Sequence, residues 1–309
     1  MKVIVLSREL KKEHEEMIRK TADKAGAEVF FTDSEEKIPE DFEDAEVLYG
    51  FGLQTAAKSS SLKWLCVPSA GVDFLLKPDM FANEDCIITN SAGAYGVSIS
   101  EHIIMVSLMM MRKMTEVYQE SLAGKWGSRR AQKSLKDSRI TVLGTGDIGS
   151  EFAKRAKAFL PERITGICRS GICAEPAFDR ILKTEELDVV LPDTDLLVMS
   201  LPDTAETKGI LSDKRIRLLP EDSYIVNVGR GSAIDENALV DALEEGRLAG
   251  AALDVFSVEP IPAGSRLWHT KNLLITPHVA GNLTLAHTLE RNVEMFCEDL
   301  LNYAQGLPL

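Results

Sequence analysis

The chain predicts an α/β fold made of two doubly wound parallel-sheet domains, and three observations carry that expectation. Its 309 residues exceed one ordinary domain and suit two. Short, almost wholly apolar runs alternate with polar helical or loop segments in two separate series, as parallel strands covered on both faces do. In the second series a Gly-rich turn, "GTGDIG", joins an apolar run to a helical segment.

Taken in order, "KVIVLS" (2–7) reads as a strand and "KKEHEEMIRKTADKAG" as a charged amphipathic helix ending at Gly26. "AEVFFT" (27–32), "AEVLYG" (45–50), "LKWLCVPS" (62–69) and "CIITN" (86–90) continue the strand series. Near residue 97 the pattern becomes one long helical stretch, "SISEHIIMVSLMMMRKMTEVYQESLAGKW", with Ser98 or Ser100 as N-cap. Its methionines suit a core or a subunit contact. The second strand series is "RITVLG", "ITGIC", "DLLVMSLP", "SYIVNVG", "GAALDVF" and "NLLITPH", and the tail from Asn282 to Tyr303 is helical by composition. There is no internal repeat.

An apolar fraction of 45% with 27% charged residues excludes a disordered or fibrous class. The net charge of −13 opposes nonspecific attraction to nucleic acid or an anionic membrane, so a basic pocket must stand out locally. "IIMVSLMMM" (103–111) falls short of the roughly 20 apolar residues of a membrane span. "MKVIVLSREL" lacks a signal peptide's apolar region, so a cytoplasmic address is expected. The cysteines (Cys66, Cys86, Cys168, Cys173, Cys297) are scattered, and Cys168 and Cys173 lack a second pair; reduced thiols are expected and no metal site.

In the Gly-rich turn each glycine has a task. Gly144 allows the tight turn, Gly146 lets the backbone approach a pyrophosphate, and Gly149 permits helix-on-strand packing. The helix N-terminus then offers unpaired N–H groups and a positive dipole end. Twenty residues after Gly149, where an acid would bind the ribose 2′-OH of NAD, stand Arg169 and Ser170. A guanidinium pairs with a 2′-phosphate that a carboxylate would repel, so NADP(H) is expected over NAD(H), with NAD(H) still possible.

Three later runs each end on a polar group at a strand's carboxyl end, where open α/β sheets bind ligands. They are "YIVNVGRG" with Arg230, "LDVFSVEP" with Asp254 and Glu259, and "LLITPHVAG" with His278. Arg230 suits a substrate carboxylate, and His278 suits proton transfer to a carbonyl oxygen. Glu259, bonded to His278, would fix the ring's tautomer and favour imidazolium.

"VLGTGDIG", "VMSLPDTAETKGIL", "NVGRGSAIDENALVDALEEGRLAGAALDVFSVEP" and "LLITPHVAG", in this order, resemble the D-2-hydroxyacid dehydrogenase family, among the members grouped with glyoxylate/hydroxypyruvate reductases and phosphoglycerate dehydrogenase. The resemblance implies a Rossmann dinucleotide-binding domain (98–282) inserted into a flavodoxin-like substrate domain (1–97 and 283–309). It implies NAD(P)-dependent reduction of a small 2-keto acid to a D-2-hydroxy acid. Arg230 is then the substrate-binding catalytic arginine, Glu259 the histidine's partner and His278 the proton donor. Asp254 would face the nicotinamide carboxamide, and Thr207 would lie near the phosphates. Asp147, Ile148, Pro202, Val228, Gly229 and Gly281 would line the cofactor.

The loop "SAGVD" resembles the family's substrate loop, with the N–H groups of Ala70, Gly71 and Val72 facing the carboxylate. A homodimer through the 98–130 helix and arm is implied as well. Tyr95, Ser100 and "SRLW" (with Trp268) depart from the family pattern, and His102 and His287 read as structural. A nucleotide-sensing interaction protein of the corepressor type, without significant turnover, is the alternative that the same motifs allow.

Overall fold

Two parallel sheets form, each within its own unit. The computed structural model describes residues 1–77, 79–127 and 129–309; Pro78 and Ser128, the latter within the 98–130 arm, lie outside that description. One unit comprises Met1–Tyr95 with Asn282–Leu309, the other Gly96–Gly281.

In the first unit β1 (Lys2–Leu6), β2 (Glu28–Thr32), β3 (Val47–Tyr49), β4 (Trp64–Val67) and β5 (Ile87–Asn90) form an all-parallel sheet in the order β2-β1-β3-β4-β5. Side chains alternate between faces. Val3, Val5, Val47, Tyr49, Trp64 and Cys66 share a core with Ile18 and Ala22 of α1 (Lys12–Lys24). Ile4, Leu48, Leu65 and Val67 face the opposite way, onto Ala56 of α2 (Leu53–Lys58) and onto Phe42, Leu62 and Leu75. Burial on both faces is why these strands read as unbroken apolar runs.

The second unit opens with α3 (Gly96–Met111) and α4 (Met114–Leu122). The expected single helix breaks at Lys113, whose φ of 54° is left-handed. The expected serine cap is also displaced. Ser98 and Ser100 are buried inside α3, and the Ser100 hydroxyl donates back to the carbonyl of Val97. The helix begins earlier, at Gly96, where a Cβ would lie 2.5 Å from an Asp147 carboxylate oxygen, so a bare backbone is needed there. That carboxylate belongs to the first residue of α5 (Asp147–Ala156) and also faces the start of α3, where a negative charge is stabilising.

The second sheet holds β6 (Arg139–Leu143), β7 (Arg163–Cys168), β8 (Arg180–Lys183), β9 (Leu196–Met199), β10 (Tyr224–Asn227), β11 (Gly250–Leu253) and β12 (Leu273–Ile275). Its order is β12-β11-β10-β9-β6-β7-β8, all parallel. The short helices α6 (Leu187–Val190) and α7 (Asp213–Ile216) and the longer α8 (Glu236–Glu244) connect them. Strand order reverses at β6, so the crevice between the carboxyl ends of β6 and β9 is this sheet's ligand position. β8, "RILK", is an edge strand that the apolar-run pattern misses, because charged residues occupy both its ends.

The chain then returns to the first unit as α9 (Ala286–Ala304). Its Leu289, Val293, Phe296 and Leu300 complete the core around Tyr49 and Trp64. Asn282 does not start this helix; its carbonyl and side chain cap a turn over the residues before it.

Candidate active site

The glycine turn between β6 and α5 has the geometry its spacing calls for. Gly144 has a φ of 104°, and a Cβ on Gly149 would lie 2.0 Å from the carbonyl oxygen of Gly144. A Cβ on Gly146 would meet nothing within 4 Å, so the backbone is open there to a ligand's close approach. The first N–H groups of α5, at Asp147 and Ile148, have no partner within the helix. With the Asp147 carboxylate turned toward α3, the turn suits an anionic pyrophosphate, and a dinucleotide fits these residues.

Arg169 and Ser170 follow β7 and are exposed. The Ser170 hydroxyl donates to the carbonyl of Ile172 and accepts from the Ile172 N–H, so it closes the turn. Nearby, Glu206 is held below the usual carboxylate range by its own backbone N–H and by Thr204, with a smaller contribution from the Arg169 charge. The Thr207 hydroxyl donates to the carbonyl of Pro202 (2.6 Å), which joins two expected cofactor residues in one loop.

Arg230 follows β10 between two glycines. A Cβ on Gly229 would lie 2.6 Å from the backbone of Leu201, and one on Gly231 would lie 1.9 Å from that of Phe256. Only bare backbone lets the three strand-end loops close on one another here. Asn227, 1% exposed, brackets the arginine. Its side-chain oxygen accepts from Gly229 N–H (3.0 Å), and its amide donates to the Arg230 carbonyl (2.9 Å). Sequence reading missed Asn227, although it sits in the quoted motif.

His278 lies after β12. Its Nδ1 is 2.7 Å from Glu259 Oε2, and Glu259 Oε1 accepts from Phe256 N–H. Pairing at Nδ1 leaves Nε2 to exchange a proton, and the side chain is half exposed. His278 has a φ of 54°, a conformation that costs a non-glycine residue about 1–3 kcal/mol and persists only where its surroundings impose it. Asp254 supplies the constraint. Its Oδ1 accepts from Thr276 Oγ1 (2.6 Å) and Val279 N–H (2.9 Å), Oδ2 accepts from Ala280 N–H (2.9 Å), and its carbonyl accepts from His278 N–H (2.8 Å). The buried carboxylate thus has one acceptor position left, on Oδ2, for any further ligand.

These groups, with Val228 and Gly281, all lie in the second unit. Ala70, Gly71 and Val72 lie in the first. Their carbonyls accept from Asn90, Ser69 and Leu75 respectively, and among the described residues their N–H groups carry no hydrogen bond. Tyr95 anchors the base of this loop by donating to the Pro68 carbonyl (2.6 Å), and burial pushes its hydroxyl up to about 12. Trp268 is half exposed and donates to the Pro262 carbonyl. Among the described residues no cluster of His, Cys, Asp or Glu could hold a metal, and no helix is long and apolar enough to cross a membrane.

Residues 104–280 match the family described as D-isomer specific 2-hydroxyacid dehydrogenase, NAD binding domain. A D-3-phosphoglycerate dehydrogenase of Archaeoglobus fulgidus is 30% identical over 226 residues, 72% of this chain; the match spans less than half of that relative, 42%. A glyoxylate/hydroxypyruvate reductase A of Klebsiella pneumoniae is 30% identical over 227 residues, 72% of each chain. The crystal structure of a D-isomer specific 2-hydroxyacid dehydrogenase family protein from Aeromonas salmonicida is similar over 100% of this chain and 97% of its own, with a TM-score of 0.88 and 30% identity.

Proposed function

Because the chain belongs to the D-isomer specific 2-hydroxyacid dehydrogenase family, we propose that it transfers a hydride between NADP(H) and a small 2-keto acid, forming the D-2-hydroxy acid. The observation that carries this reading is the Glu259–His278 pair, which commits Nδ1 to the carboxylate and leaves Nε2 for the substrate.

The open turn at Gly144, Gly146 and Gly149, with the N–H groups of Asp147 and Ile148, would hold the pyrophosphate. Arg169 and the Ser170 turn would hold the 2′-phosphate. Pro202, Thr207, Val228, Gly229 and Gly281 would line the rest of the cofactor, and the last acceptor position of Asp254 is the one that could take the carboxamide. When bound, the reduced nicotinamide supplies the hydride that reaches the keto carbon.

Arg230 pairs with the substrate carboxylate, a task that resemblance also gives to the Ala70, Gly71 and Val72 N–H groups. His278 delivers its proton from Nε2 to the carbonyl oxygen as charge develops there, and Glu259 keeps the ring oriented. Help of this kind is worth about 10²- to 10⁴-fold in rate. His278→Ala should therefore bind NADPH normally and lose turnover of glyoxylate and hydroxypyruvate by that factor. Wild-type rates in the variant would remove His278 from the mechanism.

A homodimer through the 98–130 arm belongs to the same reading. Met114, Tyr118 and Leu122 recur one turn apart on α4 and are exposed, as is Trp126 beyond it, which makes an apolar row suited to a second copy. Tyr118→Glu with Leu122→Glu should shift the sedimentation coefficient to that of a monomer.

A further inference from the structure

We propose that His102, on α3, is a positioning residue for the proton donor and acts through Thr276 and Asp254. The proposal rests on the reading of His278 as that donor.

The direction of each hydrogen bond follows from proton counting. Thr276 has one hydroxyl proton, and its bond to Asp254 Oδ1 (2.6 Å) takes it. Toward His102 Nε2, 3.3 Å away, the same oxygen can only accept. His102 must therefore carry its proton on Nε2, and the chain runs one way, from imidazole to hydroxyl to carboxylate. Burial holds the pKa of His102 below the ordinary histidine value, against the pull of the Asp254 charge, so the donor at neutral pH is the uncharged ring.

The chain ends on the carboxylate that also accepts the N–H groups of Val279 and Ala280, the two residues that follow His278. Thr276 stands two residues before His278, and the His278 N–H itself bonds to the carbonyls of Asp254 and Thr276. The left-handed backbone of His278 is thus bracketed on both sides by bonds that converge on Asp254. His102 ties this bracket to a helix 174 residues away in sequence. Bonds in such a series polarise one another, so losing the hydroxyl weakens the whole bracket. The same length of loop without it has no reason to hold the imidazole in register with Glu259.

The test uses the full chain with Thr276→Val, Thr276→Ser, His102→Gln and His102→Phe. Three quantities are measured: turnover at saturating 2-keto acid, the Kd for NADPH, and the ¹⁵N resonance of His278 Nδ1, which reports its bond to Glu259. Thr276→Val should lower kcat about 10- to 100-fold, the range for removing a group that orients a reacting residue. Its NADPH Kd should rise much less than kcat falls, because the glycine turn at Gly144, Gly146 and Gly149 is untouched. Thr276→Ser, which keeps the hydroxyl, and His102→Gln, which keeps a donor, should recover most of kcat. The Nδ1 resonance should move in Thr276→Val and His102→Phe and stay in place in Thr276→Ser.

Wild-type turnover in Thr276→Val, or a Thr276→Ser variant as impaired as Thr276→Val, would overturn the proposal. If Thr276→Val does not fold, His102→Phe carries the same comparison from the other end. Should the wild type reduce no 2-keto acid, the functional reading fails by itself. The His278 resonance still decides the positioning role, and an unmoved signal in both Thr276→Val and His102→Phe refutes it.

Discussion

Replacing Arg169 by Ala tests the cofactor assignment where it is most exposed to failure. Arg169 follows β7 in solvent, so its expected bond to a 2′-phosphate is a surface charge pair. A hydrogen bond to a charged group contributes about 1.5–3 kcal/mol, and exposure places this one at the low end. Since about 1.4 kcal/mol is tenfold in affinity, the Kd for NADPH should rise roughly 10- to 30-fold. NADH lacks the phosphate, and its Kd should stay within about twofold. The Arg169 charge also bears on the Glu206 carboxyl, so removing the arginine exposes an incoming phosphate to an unshielded carboxylate. Adding Glu206→Gln to the variant should restore part of the loss. Fluorescence titrations of both cofactors against the three proteins, at low and high salt, measure all of this. Screening should narrow the gap between the cofactors, because the Debye length falls from about 8 Å at physiological ionic strength to about 3 Å at 1 M. An equal loss for NADH and NADPH, or no loss for NADPH, would refute the assignment.

Asn227→Ala leaves the buried Gly229 N–H without its partner, at about 1–3 kcal/mol, and takes from the Arg230 carbonyl one of its two donors, Ala233 N–H remaining; urea unfolding should show the loss, and the KM for the 2-keto acid should rise as the Arg230 turn loosens. The hydrogen bond from Arg139 outweighs burial and holds the Asp195 carboxyl below the ordinary range. A carboxyl depressed in the fold stabilises above its unfolded value, near about 4, and that contribution is lost as the pH falls through its folded value. Asp195→Asn should therefore melt earlier than wild type at pH 7 and lose less stability below about pH 4. Burial raises the Cys168 thiol, but bonds from Thr145, Ser170 and the Gly171 and Ile172 backbone overcome this and lower it. Burial pushes Cys66 up to about 12. Iodoacetamide at pH 8 should therefore label Cys168 well before Cys66 by mass spectrometry, and the reverse order would contradict the geometry.

The elements most legible in the sequence are those whose physics is local. The left-handed φ of Gly144 and the 2.0 Å approach at Gly149 each need a bare backbone at one position, so spacing alone reveals them. Strands such as "KVIVL" are buried on both faces and read as unbroken apolar runs. What stayed hidden depends on partners distant in the chain. Nothing in "MMMRKMTEV" marks a break, yet Lys113 turns left-handed and ends α3. "RILK" becomes a strand only because β7 offers it an edge. Ser98 resembles a cap, yet α3 starts at Gly96, a position that the carboxylate of Asp147, far along the chain, leaves open only to glycine. At the site, Arg230, Glu259 and His278 stand out at strand ends. The groups that aim them, Asn227, Thr276 and His102, look like ordinary strand and helix residues. Asp254 is legible as a strand-end acid, but not as the anchor of the His278 loop.

The most direct measurement is the steady-state reduction of a panel of 2-keto acids, including glyoxylate and hydroxypyruvate, with NADPH and NADH in parallel and chiral analysis of the product wherever the product is chiral. The account predicts turnover of at least one 2-keto acid, a D-2-hydroxy product and a higher kcat/KM with NADPH. Turnover with NADH alone would contradict the role of Arg169. Nucleotide binding without turnover of any acid would contradict the enzyme and favour a nucleotide-sensing interaction protein.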